Sequence, residues 1–266
     1  MARLRRSRDP GAGEGFFLPA PPRVLAHRGL ALEAPENTLL AFAKAIAIGV
    51  THVETDVHVS ADGVAMISHD PDLRRLAGRT ARVEHLTSHE LRRVDLGDGQ
   101  AFCSLAEALD AFPETRFNID IKIGGAVGPT VEAIRSANAV SRVLVGSFGP
   151  RRRIEAVRML PGVATSVSAR GAAGAIAAAR AGRRATVRRI LRDVQAIQIP
   201  PRVLRMGSFT ARTMAAFHDA GVEVHAWTIN DEADMERLLD LGVDGLVTDR
   251  ADLAMRLLER RATKPS

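Results

Sequence analysis

Cysteine occurs once in the 266 residues, at Cys103, and tyrosine is absent. A single thiol excludes an intramolecular disulfide and any zinc site built from several cysteines. It favours a reducing compartment only weakly, because secreted chains also do without disulfides. Aromatic residues make up 4% of the chain, and none is interleaved with the basic residues. Binders of single-stranded nucleic acid stack bases on rings along a basic groove, so no nucleic-acid partner is expected. Lysine occurs three times, at Lys44, Lys122 and Lys264, and arginine supplies the rest of a net charge of +6. The basic residues are scattered apart from Arg151-Arg152-Arg153 and Arg183-Arg184. They read as solvated helix faces whose positive field helps recruit an anionic substrate. No apolar run approaches the roughly 18 residues of a membrane span, so no transmembrane segment is expected. The start, MARLRRSRDPGAGEGFF, is basic, then glycine-rich, without the apolar stretch of a secretory signal. Residues 1–20 are therefore expected to be a flexible lead-in. A cytoplasmic location is expected from the missing signals.

The chain is 46% hydrophobic, ample for a sizeable core. Strand-length apolar runs fall at 24–27, 53–59, 117–121, 143–147, 163–167, 196–199, 222–228 and 245–248. Amphipathic or alanine-rich stretches at 37–48, 104–111, 129–137, 150–159, 170–192, 210–220, 231–240 and 250–261 predict helices between them. Alternation of strand and helix argues for parallel βαβ units. Eight of them in about 250 residues is the size of a (β/α)8 TIM barrel, here over residues 21–261. A doubly wound open sheet is the alternative.

Two strands favour the barrel. In HVETDVHVS, 52–60, Val53, Thr55, Val57 and Val59 share one face, while His52, Glu54, Asp56 and His58 share the other. In RFNIDIKIG, 116–124, Phe117, Ile119, Ile121 and Ile123 oppose Asn118, Asp120 and Lys122. A central strand of an open parallel sheet is buried on both faces and reads as continuously apolar. One apolar face suits an outer ring of helices, and the polar face then points into the barrel mouth. A solvated edge strand would explain either pattern alone, but less readily both. The segment 60–103 is longer than an ordinary connection. Its Asp62-Gly63 turn and the run ending at His69-Asp70 predict a hairpin-like extension of the second strand. The remainder reads as an inserted loop with one short helix near 87–94, forming a cap or rim.

Glu54 and Asp56 lie about 7 Å apart along one strand face, and Asp120 adds a carboxylate from the next strand. Such oxygen ligands suit one divalent cation, Ca²⁺ or Mg²⁺, rather than zinc. His27 and His69 each end an apolar run, and their imidazoles titrate near neutrality, as a general acid/base pair requires. Arg28 and Lys122 offer positive charge to a phosphate; a structural ion pair of Lys122 with Asp120 is the competing reading.

These residues lie within HRG (27–29), PENT (35–38), ExD (54–56), HD (69–70), NIDIK (118–122), SF (147–148), WTIN (227–230) and GVDGLVTDR (242–250). In this order and spacing they resemble the glycerophosphodiester phosphodiesterases over roughly residues 22–258. The resemblance implies a (β/α)8 barrel with one divalent cation that hydrolyses glycerophosphodiesters to glycerol 3-phosphate and an alcohol. It implies that His27 and His69 are the acid/base pair, that Glu54, Asp56 and Asp120 bind the metal, and that Arg28 and Lys122 contact phosphate. It adds Glu36 and Asn37 near the site, and Trp227 lining the glycerol pocket. The family usually carries glutamate at the position of Asp120. Two rivals use the same fold: a phospholipase D-like hydrolase of lysophospholipids, whose apolar surface Phe16-Phe17-Leu18 would supply, and a non-catalytic phosphate-binding barrel. For the first two readings the partner is a small-molecule phosphodiester.

Overall fold

The computed structural model describes residues 13–203 and 206–263. The strands are β1 (Arg23–His27), β2 (His52–Val59), β3 (Ala65–Ile67), β4 (Arg116–Ile121), β5 (Val143–Gly146), β6 (Ala164–Thr165), β7 (Ala196–Ile199), β8 (Arg202–Val203), β9 (Met206–Gly207), β10 (Glu223–Ala226) and β11 (Gly245–Thr248). Eight of them run parallel in the spatial order β6-β5-β4-β2-β1-β11-β10-β7, and a parallel bridge from Ser166 to Ala196 brings the two ends together. The expected nearly closed barrel of eight parallel strands is what forms. The other three strands decorate it: β3 pairs antiparallel with β2, and β8 with β9.

The helices are α1 (Leu39–Ala47), α2 (Arg74–Ala77), α3 (Ser88–Leu91), α4 (Leu105–Ala111), α5 (Val127–Ser136), α6 (Pro150–Met159), α7 (Ala169–Arg180), α8 (Arg184–Leu191), α9 (Ala211–His218), α10 (Glu232–Asp240) and α11 (Ala251–Thr263). Their starts follow local chemistry. Thr38 and Ser104 accept the backbone N–H of Ala41 and Glu107, capping α1 and α4, and Pro150 opens α6. The stretch 170–192, expected as one helix, is two. Gly182, at φ 72°, takes the left-handed turn between α7 and α8 that side chains disfavour.

Binary patterning sorts the two faces of each strand. Val53, Val57, Phe117, Ile119 and Ile121 are buried with Leu105, Leu109, Val131 and Ile134 of the surrounding helices. Glu54, Asp56, Asn118 and Asp120 face the interior cavity instead. The 60–103 segment carries its own small core of Met66, Leu73, Val83, Leu91, Val94 and Phe102, so it is a packed rim rather than an open loop.

The flexible lead-in expected over residues 1–20 is corrected for its described part, residues 13–20; residues 1–12 lie outside the described residues. Phe16 is fully buried beside the first residues of the strands. Its carbonyl accepts the His52 Nε2–H at 2.7 Å, and its ring meets the imidazole edge-on with centroids 5.1 Å apart. Arg23 donates to the carbonyls of Phe17 and Pro19. This segment closes the end of the barrel opposite the carboxyl ends of the strands. Phe16-Phe17-Leu18 therefore cannot supply an apolar surface beside the site.

Candidate active site

At the carboxyl ends of the strands a cavity of about 450 Å³ opens. His27, Arg28, Glu54, Asp56, His69, Asp120, Lys122 and Trp227 all line it. Eight of the ten residues singled out from the sequence thus share one rim, although they come from widely separated segments. The other two support it from behind. Asn37 is buried; its Nδ2 donates to Asp56 Oδ2 at 3.2 Å, and its Oδ1 accepts from Thr55. Its backbone N–H donates to the Arg28 carbonyl, with both residues at positive φ. Glu36 accepts Arg28 Nη1 at 2.9 Å.

The two histidines are held alike. His27 Nδ1 donates to Asp249 Oδ1 at 2.6 Å, and His69 Nδ1 donates to Asp70 Oδ1 at 2.7 Å. A carboxylate on Nδ1 fixes the tautomer and leaves Nε2 for proton traffic. His27 Nε2 lies 3.9 Å from Glu54 Oε2. Burial alone would lower the His27 pKa, but the hydrogen bond to Asp249 and the negative charge of Glu54 outweigh it and raise it above the ordinary value. The same bond holds Asp249 below the usual carboxylate range.

The carboxylates divide into a compensated pair and an orphan. Lys122 Nζ lies 2.6 Å from Asp56 Oδ1 and 2.8 Å from Asp120 Oδ2, and Arg28 Nε lies 3.3 Å from Asp56 Oδ2. Asp56 loses solvation on burial, yet the Lys122 ammonium holds it ionised below its ordinary pKa. Glu54 Oε2 is buried without a hydrogen-bond partner among the described residues. Burial, then the charge of Asp56, pushes Glu54 up to about 8. An unpartnered buried carboxylate oxygen costs free energy, and a hard cation beside it would remove that cost. No group of three His, Cys, Asp or Glu side chains closes around a common point among the described residues, because the Lys122 ammonium stands between Asp56 and Asp120. The all-oxygen donor set with one orphaned oxygen fits a hard divalent cation.

Four contributing residues received no role from sequence reasoning: Asp70, Asp249, Asn230 and Arg75. Asp70 and Asp249 orient the histidines, and Asn230 Nδ2 donates to Asp249 Oδ2 at 2.7 Å. Arg75 donates from Nε to Asp70 and from both Nη atoms to Glu36. A signal existed for the aspartates. Asp70 follows His69 directly, and Asp249 comes immediately after the last strand as His27 ends the first, the two strands being neighbours in the barrel. Cys103 is buried, with its thiol pushed up to about 12 by burial, and contributes packing. No helix among the described residues is long and apolar enough to cross a membrane.

The family model described as the glycerophosphoryl diester phosphodiesterase family matches residues 27–253. A Mycobacterium tuberculosis protein described as "Probable glycerophosphodiester phosphodiesterase 2" is 41% identical over 256 residues, covering 95% of this chain and 97% of its own. A glycerophosphodiester phosphodiesterase from Agrobacterium tumefaciens superposes with a TM-score of 0.73 at 24% identity, covering 89% of this chain and 99% of its own. An Oleispira antarctica phosphodiesterase, solved in complex with the product sn-glycerol-3-phosphate, superposes with a TM-score of 0.73 at 22% identity, covering 90% of this chain and 97% of its own. These two likenesses speak for the fold; the match along nearly the whole chain and the identity to the mycobacterial relative go further, and by them the chain belongs to the glycerophosphoryl diester phosphodiesterase family.

Proposed function

We propose that this glycerophosphodiester phosphodiesterase cleaves its substrates to glycerol 3-phosphate and an alcohol by two-histidine acid/base catalysis beside one divalent cation. The observation that carries the reading is the pair of matched histidine–aspartate couples, His27–Asp249 and His69–Asp70, on one cavity. A non-catalytic binder has no use for two oriented proton carriers. Its relative from Oleispira antarctica, with sn-glycerol-3-phosphate as product, supports the same chemistry.

Glu54, Asp56 and Asp120 would hold the cation, Ca²⁺ or Mg²⁺, which when bound acts as a Lewis acid on a phosphoryl oxygen. Arg28 and Lys122 bind the remaining phosphate oxygens, the guanidinium as a planar fork and the ammonium as a point charge. Glu36 and Asn37 keep Arg28 and Asp56 in place, and Trp227 walls the glycerol. The raised pKa of His27 suits the proton donor to the leaving alkoxide. His69 then takes the proton from the nucleophile through Nε2, while Asp70 stabilises the imidazolium that forms.

The test is hydrolysis of glycerophosphocholine, glycerophosphoethanolamine and glycerophosphoglycerol by the full chain with Ca²⁺ or Mg²⁺. His27→Ala and His69→Ala should each lower kcat by 10²-fold or more without changing the far-ultraviolet circular dichroism. Glu54→Gln should raise the cation concentration needed for half-maximal rate. Undiminished turnover in either histidine variant, or full activity in excess EDTA, would overturn the reading.

A further inference from the structure

The cavity reaches below the catalytic rim. The registers place Glu54, Gly146, Gln198 and Val247 at one level of the barrel, alternate strands contributing as in the layered interior of such barrels. All four line the cavity. Three levels of side chains normally fill this space, but here Gly146 contributes none, and the small Ser166 lies below it. A Cβ built on Gly146 would lie 3.3 Å from Ser166 Oγ and 3.8 Å from Gln198 Oε1. The backbone of Gly146 is not at positive φ, so conformation does not demand glycine there. What its absent side chain leaves is a gap of about one atom on the cavity wall, within contact of two polar groups.

Those groups end a string of hydrogen bonds along the barrel axis. Ser166 Oγ donates to Gln198 Oε1 at 3.0 Å. Gln198 Nε2 donates to His225 Nδ1 at 3.2 Å, His225 Nε2 donates to Glu223 Oε2 at 3.1 Å, and Arg23 Nε donates to the same oxygen at 3.1 Å. His225 is fully buried, and Gly245 makes room for its ring: a Cβ there would lie 2.8 Å from His225 Cδ2. The string holds the Gln198 amide in one orientation. It also leaves it incompletely used. A primary amide offers two N–H donors and two carbonyl lone pairs; His225 takes one donor and Ser166 one lone pair. One donor and one acceptor remain on Gln198, and Ser166 Oγ keeps its own lone pairs.

We infer that Gln198 and Ser166, facing the space left by Gly146, form a specificity subsite that reads a neutral hydroxyl of the bound phosphodiester. This inference rests on the phosphodiesterase reading of the cavity. A hydroxyl both donates and accepts, matching what the subsite presents. The subsite's own groups are neutral, an amide and a hydroxyl, and Glu223 and Arg23 neutralise each other at the far end of the string. Discrimination follows from the same bonds. A ligand without the hydroxyl leaves the Gln198 amide unpaired in a confined space, and sites of that kind reject the deoxy analogue.

Both ends of the substrate carry hydroxyls, so two pairs of ligands locate the source. At the alcohol end, kcat/KM is compared for glycerophosphoglycerol and the n-propanol diester of glycerol 3-phosphate. At the glycerol end, the affinities of sn-glycerol 3-phosphate and n-propyl phosphate are compared by calorimetry. The wild-type chain should prefer the hydroxylated member of one pair by about tenfold or more. Gln198→Met, nearly isosteric but apolar, should reduce that preference to about threefold or less. Gly146→Ala, which fills the space while leaving every hydrogen-bonding group of the string in the chain, should do the same and guards against a Gln198 variant that fails to fold. Collapse of the preference in the first pair assigns the hydroxyl to the alcohol, and in the second to glycerol; either supports the subsite. Wild-type preference retained in both variants, or no preference in either pair, overturns it. A chain that hydrolyses no diester but still loses its calorimetric preference on substitution would sink the phosphodiesterase reading and leave the subsite standing.

Discussion

His27 and His69 differ from the other six histidines by having an aspartate on Nδ1 and a free Nε2 on the cavity. Asp249 is itself held by Asn230 through both its side chain and its backbone N–H, so its orientation is set independently of the substrate. Asp249→Asn keeps the shape but lets the amide donate toward Nδ1, which favours the wrong imidazole tautomer. It should lower kcat by roughly 10²- to 10⁴-fold while leaving the melting temperature within a few degrees. An unchanged kcat would show that His27 needs no orienting partner. Most residues of the site were legible in the sequence because they stand on the polar face of a strand or at or just beyond its end; Glu36 and Asn37, in the loop after β1, were legible only through the PENT motif. The second partners of the site residues were not. Asp249 lies 222 positions from His27, and only the adjacency of β1 and β11 brings the two together. Gln198 and Ser166 were illegible for a related reason: a glutamine in a short apolar run looks like any interruption until barrel closure turns it inward.

At the scale of elements, the inserted rim between β3 and α4 is tied to the barrel by Arg75. Its guanidinium joins Asp70, which orients His69, to Glu36, which holds Arg28. Glu36 loses solvation on burial, yet the bonds from Arg75 and the charge of Arg28 keep it below the usual carboxylate range. One side chain of the insertion therefore sets the position of a proton carrier and of a phosphate-binding arginine. Arg75→Gln should lower kcat/KM by about tenfold or more, and Arg75→Lys should recover part of the loss because a point charge replaces only some of the bonds. Faster amide hydrogen exchange over 72–91 in the glutamine variant would report the freed rim; wild-type exchange and activity together would reduce Arg75 to a surface ion pair. The hairpin and the short helix of this region follow from its Asp-Gly turn and the Thr87–Glu90 capping box. The Arg75 link does not, since nothing in the sequence singles it out among the six arginines between 60 and 103. The break between α7 and α8 was legible only as Gly182, whose place in an alanine-rich stretch looks permissive rather than terminal.

The barrel as a whole is built with chemistry at one end and closure at the other, and the two ends respond differently to acid. At the closed end His52 is fully buried, donates through Nε2 to the Phe16 carbonyl and shares Nδ1 with Thr51. Burial depresses its pKa to about 3, more than the Phe16 carbonyl can offset. The folded chain thus keeps His52 neutral over a range in which the unfolded chain, with an ordinary imidazole near 6.5, binds a proton. Where the unfolded state binds more protons, stability rises with pH. The contribution of His52 is therefore complete above about pH 6.5 and is lost as the pH falls toward 3. Its slope approaches about 1.4 kcal/mol per pH unit within that window. His52→Gln retains an N–H for the Phe16 carbonyl but cannot titrate. Urea unfolding at pH 7 and pH 4.5 should show the stability advantage of the wild type over this variant shrinking by about 2–3 kcal/mol. Carboxylates and the other histidines add the same pH dependence to both proteins and cancel in the difference. Parallel stability curves would mean that His52 already takes up a proton in the folded barrel, and that the Phe16 segment does not seal this end from water.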